Sequence, residues 1–103
     1  MTKHNSELAN LRKTLGLAQP EMARRMGLSL RPYQQLELHP EKVRKRHVRL
    51  AQSVALDVAI ERDDPELAPK PVRKNAVDLA RLIIRENFRR KARKLAALIL
   101  DEG

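Results

Sequence analysis

With 22 Lys and Arg against 13 Asp and Glu in 103 residues, the chain carries a formal net charge of +9 and contains no cysteine. That is enough chain for about one small domain, excludes disulfide and thiolate chemistry, and gives a surface that attracts polyanions. Tyr33 and Phe88 are the two aromatic residues, too few to stack bases in a protein that coats single-stranded nucleic acid.

Abundant Ala, Leu and Arg with three glycines point to an all-α fold. Asn5 or Ser6 can cap a first helix running to about Leu15, with Leu8, Leu11 and Leu15 as its apolar stripe and Gly16 as its stop. A second helix fits Gln19 to Met26, with Pro20 in its first turn, where a missing N–H is harmless, and Gly27 just past its end. Ser29 is placed to cap a third helix, about Leu30 to Leu38, with Tyr33 and Leu36 facing inward. A long fourth helix is expected from about Pro40 to Arg62, with Val43, His47, Leu50, Val54 and Val58 on its apolar stripe, widened by Ala51 and Ala55. His47 on that stripe reads as a packed histidine. His4 and His39 are too scattered to build a zinc site with it, and no metal or cofactor is expected.

"DDPELAPKP" has three prolines in seven residues and reads as a linker or extended elbow over 63–71. From Val72 to Asp101 the pattern is helical again. Its apolar register slips near Glu86-Asn87, which fits either two helices or one bent helix. The chain therefore divides on paper into 1–62, a linker and a helical segment over 72–103. The basic excess is larger in the first part: 12 basic and 6 acidic residues through Arg62, against 10 and 7 after it. "RRKARK" (Arg89 to Lys94) is either a solvated helix face or an added contact to a nucleic-acid backbone.

Two short helices crossing steeply need a small residue where their backbones approach, and Ala23 supplies it. The turn between them needs a residue tolerant of positive φ, and Gly27 supplies that. Met22, Met26, Leu28, Tyr33 and Leu36 then face the first helix. This is the pattern of a helix-turn-helix, whose second helix is left outward to enter a major groove.

The run "LRKTLGLAQPEMARRMGLSLRPYQQLE" resembles the phage Cro/repressor-type (XRE-like) helix-turn-helix DNA-binding family. Leu11, Arg12, Gly16, Leu17, Gln19, Met22, Ala23, Met26, Gly27, Leu28, Ser29, Tyr33, Leu36 and Glu37 match its pattern at fixed spacing. The resemblance covers residues 7 to about 60, the fourth helix by pattern only. It implies that Leu30, Arg31 and Gln35, with Gln34 beside them, face base edges. Arg31 suits guanine, Gln35 adenine and Leu30 a thymine methyl. It implies that Gln19 contacts a phosphate and braces the recognition helix, and that Arg12 and Glu37 pair between the first helix and the end of the third. Ala18 departs from the family's Ser or Thr cap, Pro32 has no N–H to offer a phosphate, and Leu38-His39-Pro40 replaces a glycine usual after Glu37. Ser29 and the cluster Lys42, Arg44, Lys45 and Arg46, extended by Arg49, are the further candidates for DNA backbone contact.

The expected function is a sequence-specific, operator-binding transcriptional regulator, a dimeric repressor of phage or mobile-element type. One such module covers a half-site too small for selective binding. A homodimer joined largely through residues 72–101, by Leu79, Ile83, Phe88, Leu95 and Ile99, is therefore expected, the alternative being that this segment folds back on its own first domain. The alternative is an antitoxin or anti-activator whose helices over 72–103 bind a partner protein while the DNA-binding part autoregulates. An enzyme is not expected: there is no Ser-His-Asp set, no phosphate-binding glycine loop and no metal cluster. The first residues have no apolar signal region, and "LAALIL" is too short to span a bilayer, so a cytoplasmic protein away from membranes is expected.

Overall fold

The computed structural model describes residues 6–101, which contain five α-helices and, within that range, no β-strand. They are α1 (Glu7–Thr14), α2 (Gln19–Met26), α3 (Leu30–Leu38), α4 (Lys45–Glu61) and α5 (Lys70–Asp101), with 3₁₀ turns at Pro40–Lys42 and Pro65–Leu67. The chain divides into two compact units, Met1–Val72 and Arg73–Gly103. Asn5 as a possible first cap, and His4, lie outside the described residues.

In the first unit, α1, α2 and α3 have eight, eight and nine residues, shorter than the ~12–15 at which an isolated helix becomes even marginal. Their persistence rests on a shared core. Leu8, Leu15, Leu17, Met22, Ala23, Met26, Tyr33 and Leu36 bury together against Ala51, Val54, Ala55 and Val58 of α4. Leu15, Tyr33, Ala55 and Val58 are fully excluded from solvent. Ser6 caps α1 by accepting from the Ala9 N–H at 3.1 Å. Gly27 closes α2 in the left-handed region, φ 76°, where a side chain would be strained, and its N–H bonds the Ala23 and Arg24 carbonyls.

The fourth helix departs from expectation at its start. It begins at Lys45, not Pro40, because Pro40–Lys42 forms a 3₁₀ turn and Val43 and Arg44 are extended. His47 Nδ1 accepts the Arg44 N–H at 2.8 Å, so the imidazole satisfies a donor at the helix entrance while remaining buried. The stripe also runs through Ala51 rather than Leu50, which is exposed. The helix face that meets the core is narrow enough that small residues carry it.

The segment 63–71 packs along α4. Asp64 accepts from the Glu66 N–H and starts the Pro65–Leu67 turn. Ala68 and Val72 then bury with Ala59, packed by Leu56 and Leu67. The prolines give this segment a rigid path along α4, and its small side chains allow close contact. The first unit therefore extends ten residues beyond the expected boundary at Arg62.

α5 is one continuous helix of 32 residues, beginning at Lys70 within the first unit and making up the described part of the second, so the stretch does not divide into two helices. No described helix is long and apolar enough to cross a membrane.

Candidate nucleic-acid interface

The first unit presents α3 on a scaffold locked by one polar network. Arg12 of α1 donates to Glu37 through Nε at 2.6 Å and Nη2 at 3.1 Å, and its Nη1 reaches the Leu17 carbonyl at 3.0 Å. Gln19 at the start of α2 donates to Glu37 Oε1 at 2.9 Å, and the Tyr33 hydroxyl donates to Glu37 Oε2. One carboxylate at the end of α3 thus ties down α1, α2 and its own helix. The side chains of Arg12 and Glu37 are 14% and 8% exposed, so the pair is desolvated and strongly directional.

Burial alone would raise the Glu37 pKa, but hydrogen bonds from Arg12, Tyr33 and Gln19 outweigh it and leave it lowered. The network keeps Glu37 ionised and Arg12 more firmly protonated. Burial and the Glu37 carboxylate push the Tyr33 hydroxyl up, which keeps it a donor. The Arg12–Glu37 pair that the resemblance implies is therefore present, and Tyr33 joins it through its hydroxyl while its ring packs in the core.

The network also engages two of the residues expected at DNA, Gln19 and Gln34. Gln34 donates to Gln19 Oε1 at 3.0 Å and is half-buried. Its amide is directed toward α2 instead of outward beside Arg31 and Gln35. Gln19 spends its oxygen on Gln34 and one N–H on Glu37, and so acts first as a brace.

Leu30, Arg31 and Gln35 are exposed on α3. Arg31 and Gln35 lie one turn apart on one face, and neither side chain bonds to another described residue. Ser29 stands at the N-cap position of α3 with extended backbone but makes no side-chain cap hydrogen bond. Pro32, at the third helical position, has no N–H, which removes one of the two donors such a cap can accept from. Lys42, Arg44, Lys45 and Arg46 are exposed around the entrance to α4, as is Arg49, and none forms an ion pair within the described residues. Ala23 is buried where α2 meets its neighbours, and Leu36 is buried beneath α3.

A second brace had no prominent sequence signal. Arg25 makes a bidentate contact to Glu61 at the end of α4, both bonds 3.0 Å, and a third bond to Glu21 at 2.8 Å. The Glu21–Arg25 spacing of four was legible as an in-helix pair, whereas the partner 36 residues away was not. Hydrogen bonds from Arg24 and Arg25 lower the Glu21 pKa to about 2.

The residues expected to join two copies are all exposed on α5, but a single helix does not gather them on one face. At 3.6 residues per turn, Leu79 lies about 180° and Ile83 about 140° from Phe88, while Leu95 and Ile99 lie within about 20° of it. Among the described residues no group of three or more His, Asp or Glu side chains is placed to hold a metal ion. Comparison with protein-family models, curated proteins and solved structures finds no match to this chain.

Proposed function

We propose that the chain is a sequence-specific DNA-binding regulator in which α2 and α3 form a helix-turn-helix of the Cro/repressor type. α3 is its recognition helix. The observation that carries this reading is the division of labour along α3. Tyr33, Leu36, Glu37 and Gln34 are committed inward or to neighbouring helices, while Arg31, Gln35 and Leu30 stay exposed without a partner. A guanidinium and an amide one turn apart on a braced helix can read guanine and adenine edges in a major groove. Lys42, Arg44, Lys45 and Arg46 supply unpaired cations for flanking phosphates, a contribution that positions the protein without specifying sequence. The protein acts as a homodimer on two half-sites and represses by occupying a promoter.

The test is titration of the protein against its own upstream DNA and against a scrambled duplex at two salt concentrations. Specific binding should survive at about 150 mM salt while scrambled binding fades. Arg31→Ala should lose about 1–3 kcal/mol on the specific site and little on the scrambled one. Equal loss on both would make Arg31 a phosphate contact, and equal, steeply salt-sensitive wild-type binding would overturn the reading.

A further inference from the structure

With the boundary at Val72 instead of Arg62, the balance of charge between the two parts reverses. Through Val72 there are 13 basic and 9 acidic residues, and after it 9 and 4, so the shorter second unit carries +5 against +4. The excess is concentrated within α5. Between Arg81 and Lys94 stand seven cations and one carboxylate, Glu86, and all seven cations are exposed. Arg81, Arg85, Lys91, Arg93 and Lys94 make no ion pair within the described residues. Arg89 and Arg90 share Glu86 at 4.0 and 3.7 Å, long exposed contacts that contribute little. The helix opposes itself here. Arg81–Arg85, Arg85–Arg89, Arg89–Arg93 and Arg90–Lys94 are like charges four residues apart, a spacing at which repulsion weakens a helix. A bound polyanion removes that opposition.

The density of this charge matches one strand of duplex DNA. Arg81 to Lys94 spans about 20 Å at 1.5 Å per residue, which gives one net positive charge per ~3.3 Å. B-form DNA presents one phosphate per about 3.4 Å of axis on each strand. The arrangement around the helix selects among polyanions. At about 100° per residue, Arg89 and Arg93 fall on one flank of Arg90, and Lys91 and Lys94 on the other. Phe88, Ala92 and Leu95 lie about 140–160° from Arg90, on the opposite side. A flat lipid surface cannot take both sets, because seating the apolar side turns Arg90, Arg93 and Lys94 to water. A major groove about 12 Å wide receives a helix 10–12 Å in diameter and offers a phosphate backbone on each flank. The corresponding groove of an RNA duplex is too narrow.

We infer that Arg89–Lys94 of α5 is a second DNA-binding element, laid along a major groove with its Arg90 side turned inward. Arg89 and Arg93 contact one phosphate backbone, and Lys91 and Lys94 the other. The choice of duplex DNA as the polyanion rests on the proposed function, in which α3 reads the bases. The element on α5 does different work. Its cations meet phosphates, which position a protein and add affinity without specifying sequence. It holds the protein on duplex of any sequence, from which α3 finds its site by sliding and hopping. Of the two readings of "RRKARK", backbone contact is the one that accounts for five cations in six residues with a single shared carboxylate nearby.

The experiment compares two full-length triple variants that remove equal charge. One combines Arg89→Gln, Arg90→Gln and Arg93→Gln; the other combines Lys13→Gln, Lys70→Gln and Lys74→Gln, exposed cations outside the element. Each is first checked for unchanged helicity by circular dichroism. Both are titrated with the scrambled duplex from about 0.05 to about 0.3 M NaCl. The arginine variant should lower the slope of log K against log salt by about 2–3, and the lysine variant by less than about 1. At about 0.1 M salt the arginine variant should lose roughly a hundredfold in affinity. Arg89→Lys, Arg90→Lys and Arg93→Lys together should restore the slope, which separates charge from any change in the helix. Equal changes of slope in the two glutamine variants would reduce the element to the general field of a basic protein and overturn the inference. An unchanged slope with loss of binding to phosphatidylserine vesicles would assign the cations to a lipid surface instead. The scrambled duplex keeps this test apart from base reading. If the Arg31→Ala comparison fails, the slope change still stands, and an unchanged slope leaves the reading of Arg31 intact.

Discussion

Residues 6–72 and the helix beyond them are both helical on different physical grounds. In the first unit no single helix among α1–α3 is long enough to stand alone, and each is held by side chains buried against the others. In the second, length substitutes for burial. α5 has 32 residues and in-helix pairs such as Lys74–Asp78 at 2.9 Å, and from Val77 to Leu100 nearly every side chain is exposed. The contrast teaches that apolar residues mean different things in the two regions. In the first they are buried against one another, and in the second they stand exposed.

The largest expected effect breaks this comparison directly. Met22→Ala, at a fully buried site, should cost about 2–5 kcal/mol in urea unfolding. Leu79→Ala, 58% exposed, should cost less than about 0.5 kcal/mol. Similar losses at the two sites would mean that α5 belongs to a packed core after all.

Next in size is Glu37→Gln, which leaves Arg12 desolvated beside a neutral amide and should cost about 3 kcal/mol. The sign of its pH dependence follows from the lowered Glu37 pKa. The carboxylate's contribution is fully present above the ordinary carboxylate range and is lost as pH falls through the folded-state value. The gap between wild type and Glu37→Gln in urea melts should therefore be wide at neutral pH and narrow in acid.

The smallest effect concerns His47, whose pKa is lowered by burial and by neighbouring Arg46 and Arg44. The folded state holds the imidazole neutral with Nδ1 accepting the Arg44 N–H. Stability from this site is complete above the ordinary histidine range and declines as pH falls through the lowered value. Stability measured from pH 8 down to pH 5 should show a shallow decline that His47→Gln flattens. An unchanged decline in that variant would place its origin elsewhere.

Where chemistry is local, the sequence was a sufficient guide. Proline early in α2, glycine after it and apolar spacing along α1–α3 placed these helices almost to the residue, because caps, turns and helical periodicity act over four residues or fewer. The Arg12–Glu37 pair was reached through family resemblance, since no local rule joins residues 25 apart. Tertiary structure decided the rest. It turned Gln34 onto Gln19, joined Arg25 to Glu61, and delayed α4 to Lys45 behind a histidine-capped entrance. It also buried Ala68 and Val72 where the prolines had suggested a linker or elbow. Each of these depends on which distant groups share a desolvated space, where an unpaired donor or charge is costly. The amino-acid sequence by itself determined the helices and the polyanion-attracting charge. Only packing decided which polar side chains are spent inside the protein and which, such as Arg31 and Gln35, are left to face outward.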